Sequence, residues 1–210
     1  KSVVSGFQSS LSGLNNLSSF DKKSAVLSNS DSFTAIAKSS AVVNNYDIEV
    51  QQLASSQALA TSAYADSDTT TLGHGTLTFR FGTVDYNTGT DTVDAFTQKS
   101  GSNTTTITID SSNNTLEGVM QAVNDANFGV QAAVVNDGTG YRLLLTSTES
   151  GAENGIEIAV DDDDTNDADA LGLSNLAFNT TASNINQTKA AKDAQLTING
   201  LAVTSPGNTV

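Results

Sequence analysis

The run Asp161-Asp162-Asp163-Asp164-Thr165-Asn166-Asp167-Ala168-Asp169 gathers six carboxylates in nine residues and is the first place to look for a bound cation. Calcium is held by several carboxylate oxygens that a loop wraps around it. That loop needs a Gly at its sharp turn and a Glu at its end. Starting the pattern at Asp161 or Asp162 puts Asn166 or Asp167 at the turn and Gly172 or Leu173 at the end, so the run reads as a solvated loop. His74 is the only histidine, which excludes paired-His zinc motifs and leaves one imidazole for general-base work. It lies between Gly73 and Gly75, a poor seat for a group that must stay within hydrogen-bond reach of a nucleophile, and no Gly-x-Ser-x-Gly elbow supplies one. Gly73, Gly75 and Gly82 do not fit a phosphate-cradling pattern and read as turn residues. Asn103-Thr104-Thr105 and Asn186-Gln187-Thr188 match the glycosylation triplet, an accidental match in a Thr-rich chain. A carboxylate pair for glycoside cleavage comes together only in a fold, and nothing singles one out. The residues thus assign no catalytic, cofactor-binding or metal site, and the chain reads as a non-enzyme.

Composition narrows the partners. Only 15% of the 210 residues are charged, yet the net charge is −14, so solubility rests on one-signed repulsion and on abundant Ser, Thr and Asn. The nine basic residues are scattered, which disfavours nucleic acid and anionic bilayers as partners. There is no cysteine, hence no disulfide or thiolate chemistry. No apolar run reaches the ~18 residues of a membrane span, and the opening Lys1-Ser2-Val3-Val4-Ser5-Gly6 has no hydrophobic block of a secretory signal. With no initial Met and a last segment that stops inside a sheet-like stretch, the chain reads as a fragment.

The elements follow from apolar periodicity. Val4, Phe7, Leu11, Leu14 and Leu17 recur at steps of three and four, predicting an amphipathic helix over 2–18. Gly6 and Gly13 each weaken it by roughly 1 kcal/mol relative to Ala, so it needs packing, against chain outside the fragment or as a surface helix of the local domain. Alternation predicts a strand near 32–38 and another at Tyr46, Ile48 and Val50. Residues 55–66 carry no decisive period. Strands follow at Leu77-Phe79-Phe81, at 93–98 and at 104–109. Asn114 as cap, Glu117 as its reciprocal partner and the stripe Leu116, Val119, Met120, Val123 predict a helix that ends at Gly129. Residues 131–135 and 141–146 form a hairpin, and Ile156, Ile158 and Val160 a further strand. The stretch 161–189 reads as a loop with one weak helical turn around Leu171–Phe178. Leu196, Ile198, Leu201 and Val203 flank Asn199-Gly200, the type I′ hairpin signal. Residues 46–54 and 194–210 look like strands of one sheet, which makes everything between them an insertion.

Several of these pieces, in order, resemble the flagellar filament cap protein family (FliD, hook-associated protein 2). They are Tyr46-Asp47-Ile48-Glu49-Val50 with Gln52-Leu53-Ala54, Leu72-Gly73-His74-Gly75-Thr76-Leu77, Asn114-Thr115-Leu116, Val123-Asn124-Asp125-Ala126, Gly129-Val130-Gln131-Ala132, Asn136-Asp137-Gly138-Thr139-Gly140-Tyr141-Arg142-Leu143, and Leu196-Thr197-Ile198-Asn199-Gly200 with Asn208. The resemblance implies a mainly β (α+β) head: the end of a partly coiled-coil leg helix over 1–20, an inner β domain of 21–65 plus 185–210, and an outer α+β domain of 66–184 inserted into it. It also implies an extracellular homo-oligomeric plate at the flagellum tip, flagellin as partner, export as an unfolded chain and, in some bacteria, attachment to host mucin or glycans. No functional residue is carried over. A glycan-binding adhesin head with no assembly role, a hydrolase and another axial protein are the rival readings.

Overall fold

Side chains alternate along an extended chain, so Leu77 and Phe79 fall on one face and Thr78 and Arg80 on the other. The computed structural model, which describes residues 2–14, 22–31 and 33–210, puts them on a 13-residue strand that organises the fold. In chain order the elements are α1 (Ser2–Leu14), β1 (Ile48–Gln52), β2 (Ala58–Ala60), β3 (Gly75–Asn87), β4 (Thr92–Gln98), β5 (Thr105–Ile109), α2 (Leu116–Ala126), β6 (Val130–Asn136), β7 (Tyr141–Ser147), β8 (Gly155–Asp162), β9 (Asn186–Lys189), β10 (Ala194–Ile198) and β11 (Leu201–Ser205). The fold is mainly β with an N-terminal helix. All pairings are antiparallel: β1-β10-β11, β6-β7-β2-β9, and a third sheet in which β3 pairs β5 and β8 along its first half and β4 along its second.

One apolar core joins the last two sheets. Leu77, Phe79, Ile109, Ile156 and Ile158 meet Leu59, Leu143 and Leu145, with Leu116, Val119 and Val123 of α2. Phe128, just past α2, lies 5.0 Å from the Phe79 ring. On the other face of the third sheet Arg80 pairs with Glu157 at 2.6 Å, and its guanidinium lies 5.8 Å from the centre of the Phe96 ring. Burial pushes the Glu157 carboxyl above its ordinary value, against the pull of Arg80. The folded state therefore holds that proton more tightly than the unfolded chain. Its contribution is complete below the ordinary glutamate value and is lost as pH rises through the raised one. Asp137 has the opposite sign. The Thr139 hydroxyl, the Arg142 guanidinium and the Thr139 N–H hold its carboxyl well below the usual range, so its share is lost on acidification. We expect Glu157→Gln to flatten the fall in stability as pH rises above the ordinary glutamate value, read from urea midpoints across that rise. An unchanged slope would mean that Glu157 is ionised freely in the fold.

Several sequence expectations are corrected. The strand near 32–38 is absent from 33–38: Ile36 is 93% exposed and no strand pairs there, and an extended segment without a partner gains no ladder. Ser32, the end of the first helix at 15–18 and Leu17 lie outside the described residues. Helix α2 is capped by Thr115, whose hydroxyl accepts from Gly118 N–H at 3.1 Å, whereas the Asn114 carbonyl accepts from Leu72 N–H at 2.7 Å. Glu117 does not close a capping box, because its carboxylate accepts from the Ser67 hydroxyl at 3.0 Å. The helix ends in left-handed Asn127, two residues before Gly129. In 55–66 the strand that forms is β2, three residues long, with isolated bridges at Ser55 and Tyr64 on either side of it.

Candidate functional site

The acidic run is a folded corner, and its charge serves the backbone. Asp161 and Asp162 are the last residues of β8, and Asp162 is buried at 5% exposure. The Asp162 carboxylate accepts from Ser174 N–H at 2.9 Å, Asp167 from Asp162 N–H at 2.8 Å, Asp164 from Asn166 N–H at 2.8 Å and Asp169 from Leu171 N–H at 3.0 Å. Carboxylates aimed at backbone N–H groups form the turns that Asx side chains favour. Among the described residues no three His, Asp or Glu side chains converge as a metal site requires. His74 is exposed, its Nε2 3.1 Å from the Asn114 amide and its carbonyl accepting from Asp163 N–H at 3.1 Å. Both contacts tie it to the corner. Gly82 corrects its reading as a turn residue: it sits mid-strand in β3, where a Cβ would meet the Thr97 carbonyl and, at 2.7 Å, the Phe96 ring. Asn186 opens β9, and Asn103 lies in the connection before β5.

What the chain does bring together is its own early and late passages. Ile48 lies opposite Ile198 and Val50 opposite Leu196, as the one-sheet expectation requires. Asn199 and Gly200 take φ of 51° and 81°, the positive pair of a type I′ turn. Asn199 then does a second job: its side-chain oxygen accepts from Asp47 N–H at 2.8 Å while its own N–H donates to the Asp47 carbonyl at 2.8 Å. Asn208 grips Ala54 with both ends of its side-chain amide, accepting from its N–H at 2.8 Å and donating to its carbonyl at 3.1 Å. Ser55 and Lys192 close the seam as an isolated antiparallel bridge. The Asn-Gly pair signals the turn, but no local pattern shows that Asn199 and Asn208 also tie the passages together.

This junction sheet is open. Its outer strands β1 and β11 pair only with β10 among the described residues, and Tyr46, Val50, Leu53 and Leu201 are exposed, Leu201 at 73%. Val4, Phe7 and Leu11 of α1 are exposed as well. Unpaired strand edges and clustered apolar side chains mark surfaces that associate with other protein.

The family model for the flagellar hook-associated protein 2 N-terminus matches residues 1–57. The match stops just past the Ser55–Lys192 bridge, one residue before β2 begins. A crystal structure of FliD (HAP2) from Pseudomonas aeruginosa PAO1 superposes with a TM-score of 0.62 at 32% identity, over 81% of this chain and 70% of that one. The chain belongs to the flagellar hook-associated protein 2 family. The B-type flagellar hook-associated protein 2 of P. aeruginosa is 36% identical over all of this chain and 42% of its own length, and the Escherichia coli K12 flagellar hook-associated protein 2 is 30% identical over all of this chain and 41% of its own. The E. coli flagellar cap protein FliD D1-D2-D3 crystal structure matches with a TM-score of 0.64 at 28% identity, over 81% of this chain and 43% of that one. The chain thus spans about four tenths of the length of these two hook-associated protein 2 relatives.

Proposed function

We propose that this chain is the head of a filament-cap subunit, a structural part that works outside the cell at the flagellum tip, associating with copies of itself into a plate beneath which flagellin is added. The likeness to the P. aeruginosa cap structure, 32% identical over 70% of its length, carries this reading. The nested division goes with it: a leg-helix end over 1–20, an inner unit of 21–65 plus 185–210 and an outer unit of 66–184. The Ser55–Lys192 bridge and the pairing of β2 and β9 next to β7 support drawing the seam near 55 and 192, which carries both short strands with the outer unit.

The test is genetic. Full-length protein bearing this head should restore swimming to a strain lacking its cap and should label filament ends, whereas an adhesin with no assembly role would leave swimming intact when deleted. Attachment to host mucin or glycans is a separable part of the proposal, read by glycan-array binding of the isolated head. Subunits that each carry −14 repel over a Debye length of about 8 Å at physiological salt. We therefore expect the head to associate weakly and more strongly as salt rises, in sedimentation at micromolar concentration. Monomer at every ionic strength would show that the head does not drive plate formation.

A further inference from the structure

Among the described residues strand β6 is an edge of its sheet, paired on one side only, with β7. The Thr148 N–H donates to the Gly129 carbonyl. By antiparallel alternation Gln131, Ala133 and Val135 therefore bond to β7, while Val130, Ala132 and Val134 turn their N–H and C=O groups outward. The seven residues Val-Gln-Ala-Ala-Val-Val-Asn include no charge and no proline, the composition that favours strand addition. Three other edges carry a charge, Glu49 in β1, Asp94 in β4 and Lys189 in β9, whereas the shorter β5 and β11 carry none. An open groove of about 640 Å³ follows β6, lined by Asn124, Gly129, Gln131 and Thr148.

The centre of that edge is already occupied. The Asn124 side-chain oxygen accepts from Ala132 N–H at 2.8 Å, and its amide nitrogen donates to the Ala132 carbonyl at 2.9 Å. One amide thus makes both bonds that an incoming strand would make at that residue. The local fold aims it there, because left-handed Asn127 and Gly129 (φ 103°) turn the chain straight from α2 into β6. We propose that Asn124 guards the β6 edge against antiparallel pairing with β6 of a second copy of this chain. Identical edges related by a two-fold axis are self-complementary, and pairing stays blocked while the amide sits on Ala132.

Asn124→Ala tests this at an ionic strength where the parent chain sediments as a monomer. The variant is expected to keep its circular dichroism spectrum and to move with rising concentration toward twice the monomer mass. Adding Val135→Lys, an exposed edge position, should return it to monomer, because a lysine on an edge opposes strand addition. A folded variant that stays monomeric at every concentration overturns the proposal and leaves Asn124 as a tie between helix and strand. So does association that Val135→Lys fails to reverse, since it then runs through another surface. If Asn124→Ala does not fold, Asn124→Ser, whose hydroxyl is too short to span both Ala132 groups, takes its place under the same criteria.

Discussion

Phe178→Ala is expected to lower the unfolding free energy by about 3–5 kcal/mol, a large share of the roughly 5–15 kcal/mol that holds a domain folded. The ring is fully buried and stacks at 5.6 Å on Tyr86 of β3. Its backbone is fastened to β8 by a reciprocal pair of bonds: Phe178 N–H donates to the Ile158 carbonyl and Ile158 N–H to the Phe178 carbonyl, each at 2.9 Å. Truncation would leave a cavity walled by β3 and β8, which are fixed by their own ladders and cannot close over it, so the cavity cost adds to the lost transfer energy. Leu171→Ala, seven positions earlier at 65% exposure, should change stability by less than about 0.5 kcal/mol. Urea midpoints at constant slope read both. A loss below about 1 kcal/mol for Phe178→Ala would mean that the loop carrying it is not part of the core.

That prediction concerns a stretch whose sequence reads as a weakly apolar loop, and the reason is physical. Leu173, Leu176 and Phe178 are spaced neither for a long helix nor for a strand, yet all three are buried, because a short 3₁₀ turn at Gly172–Leu176 folds them onto β8. Periodicity reports elements that repeat. It is silent about irregular chain pinned by a few hydrogen bonds, such as Asp162 on Ser174 N–H and Asn184 on the Ser174 carbonyl at 2.8 Å. β2 escapes for the related reason that Ala58-Leu59-Ala60 contributes a single core side chain, Leu59, too few for a pattern. By contrast the long β3, the β6-β7 hairpin and the Asn199-Gly200 turn were legible, since alternation or positive φ makes its demand within a few residues of sequence.

The junction was legible as a sheet and illegible as a clasp. Ile48 and Val50 announce a half-buried strand, and so do Leu196 and Ile198. That they pair in one register follows once the segment between is seen to fold on itself. The amides of Asn199, Asn208 and Asn124 act across 152, 154 and 8 positions. Asparagine is common throughout this chain, and nothing adjacent marks the three that stand in for a neighbouring strand.

Gly75→Ala should cost about 3–5 kcal/mol, combining roughly 1–3 from backbone strain and a similar amount from overpacking, which lowers the melting midpoint by roughly 10 °C. Gly75 has φ +144° and is held from two sides, opposite Ile109 of β5 and Asp162 of β8. A Cβ there would collide with the Asp161 carbonyl oxygen and lie 3.1 Å from the Asp162 Cα. β8 cannot retreat without opening its ladder to β3 and moving the buried Asp162 off Ser174 N–H. Gly101→Ala is the matched comparison: φ is +74° there, but a Cβ would meet nothing within 4 Å, so only the strain remains, about 1–2 kcal/mol. If both substitutions lower the midpoint equally, strain alone is at work and the close approach of β3 to β8 is not what requires a glycine. If Gly75→Ala costs the larger amount, the Gly-His-Gly triplet is explained by packing at the start of β3, and His74 needs no chemical role to account for its place between two glycines.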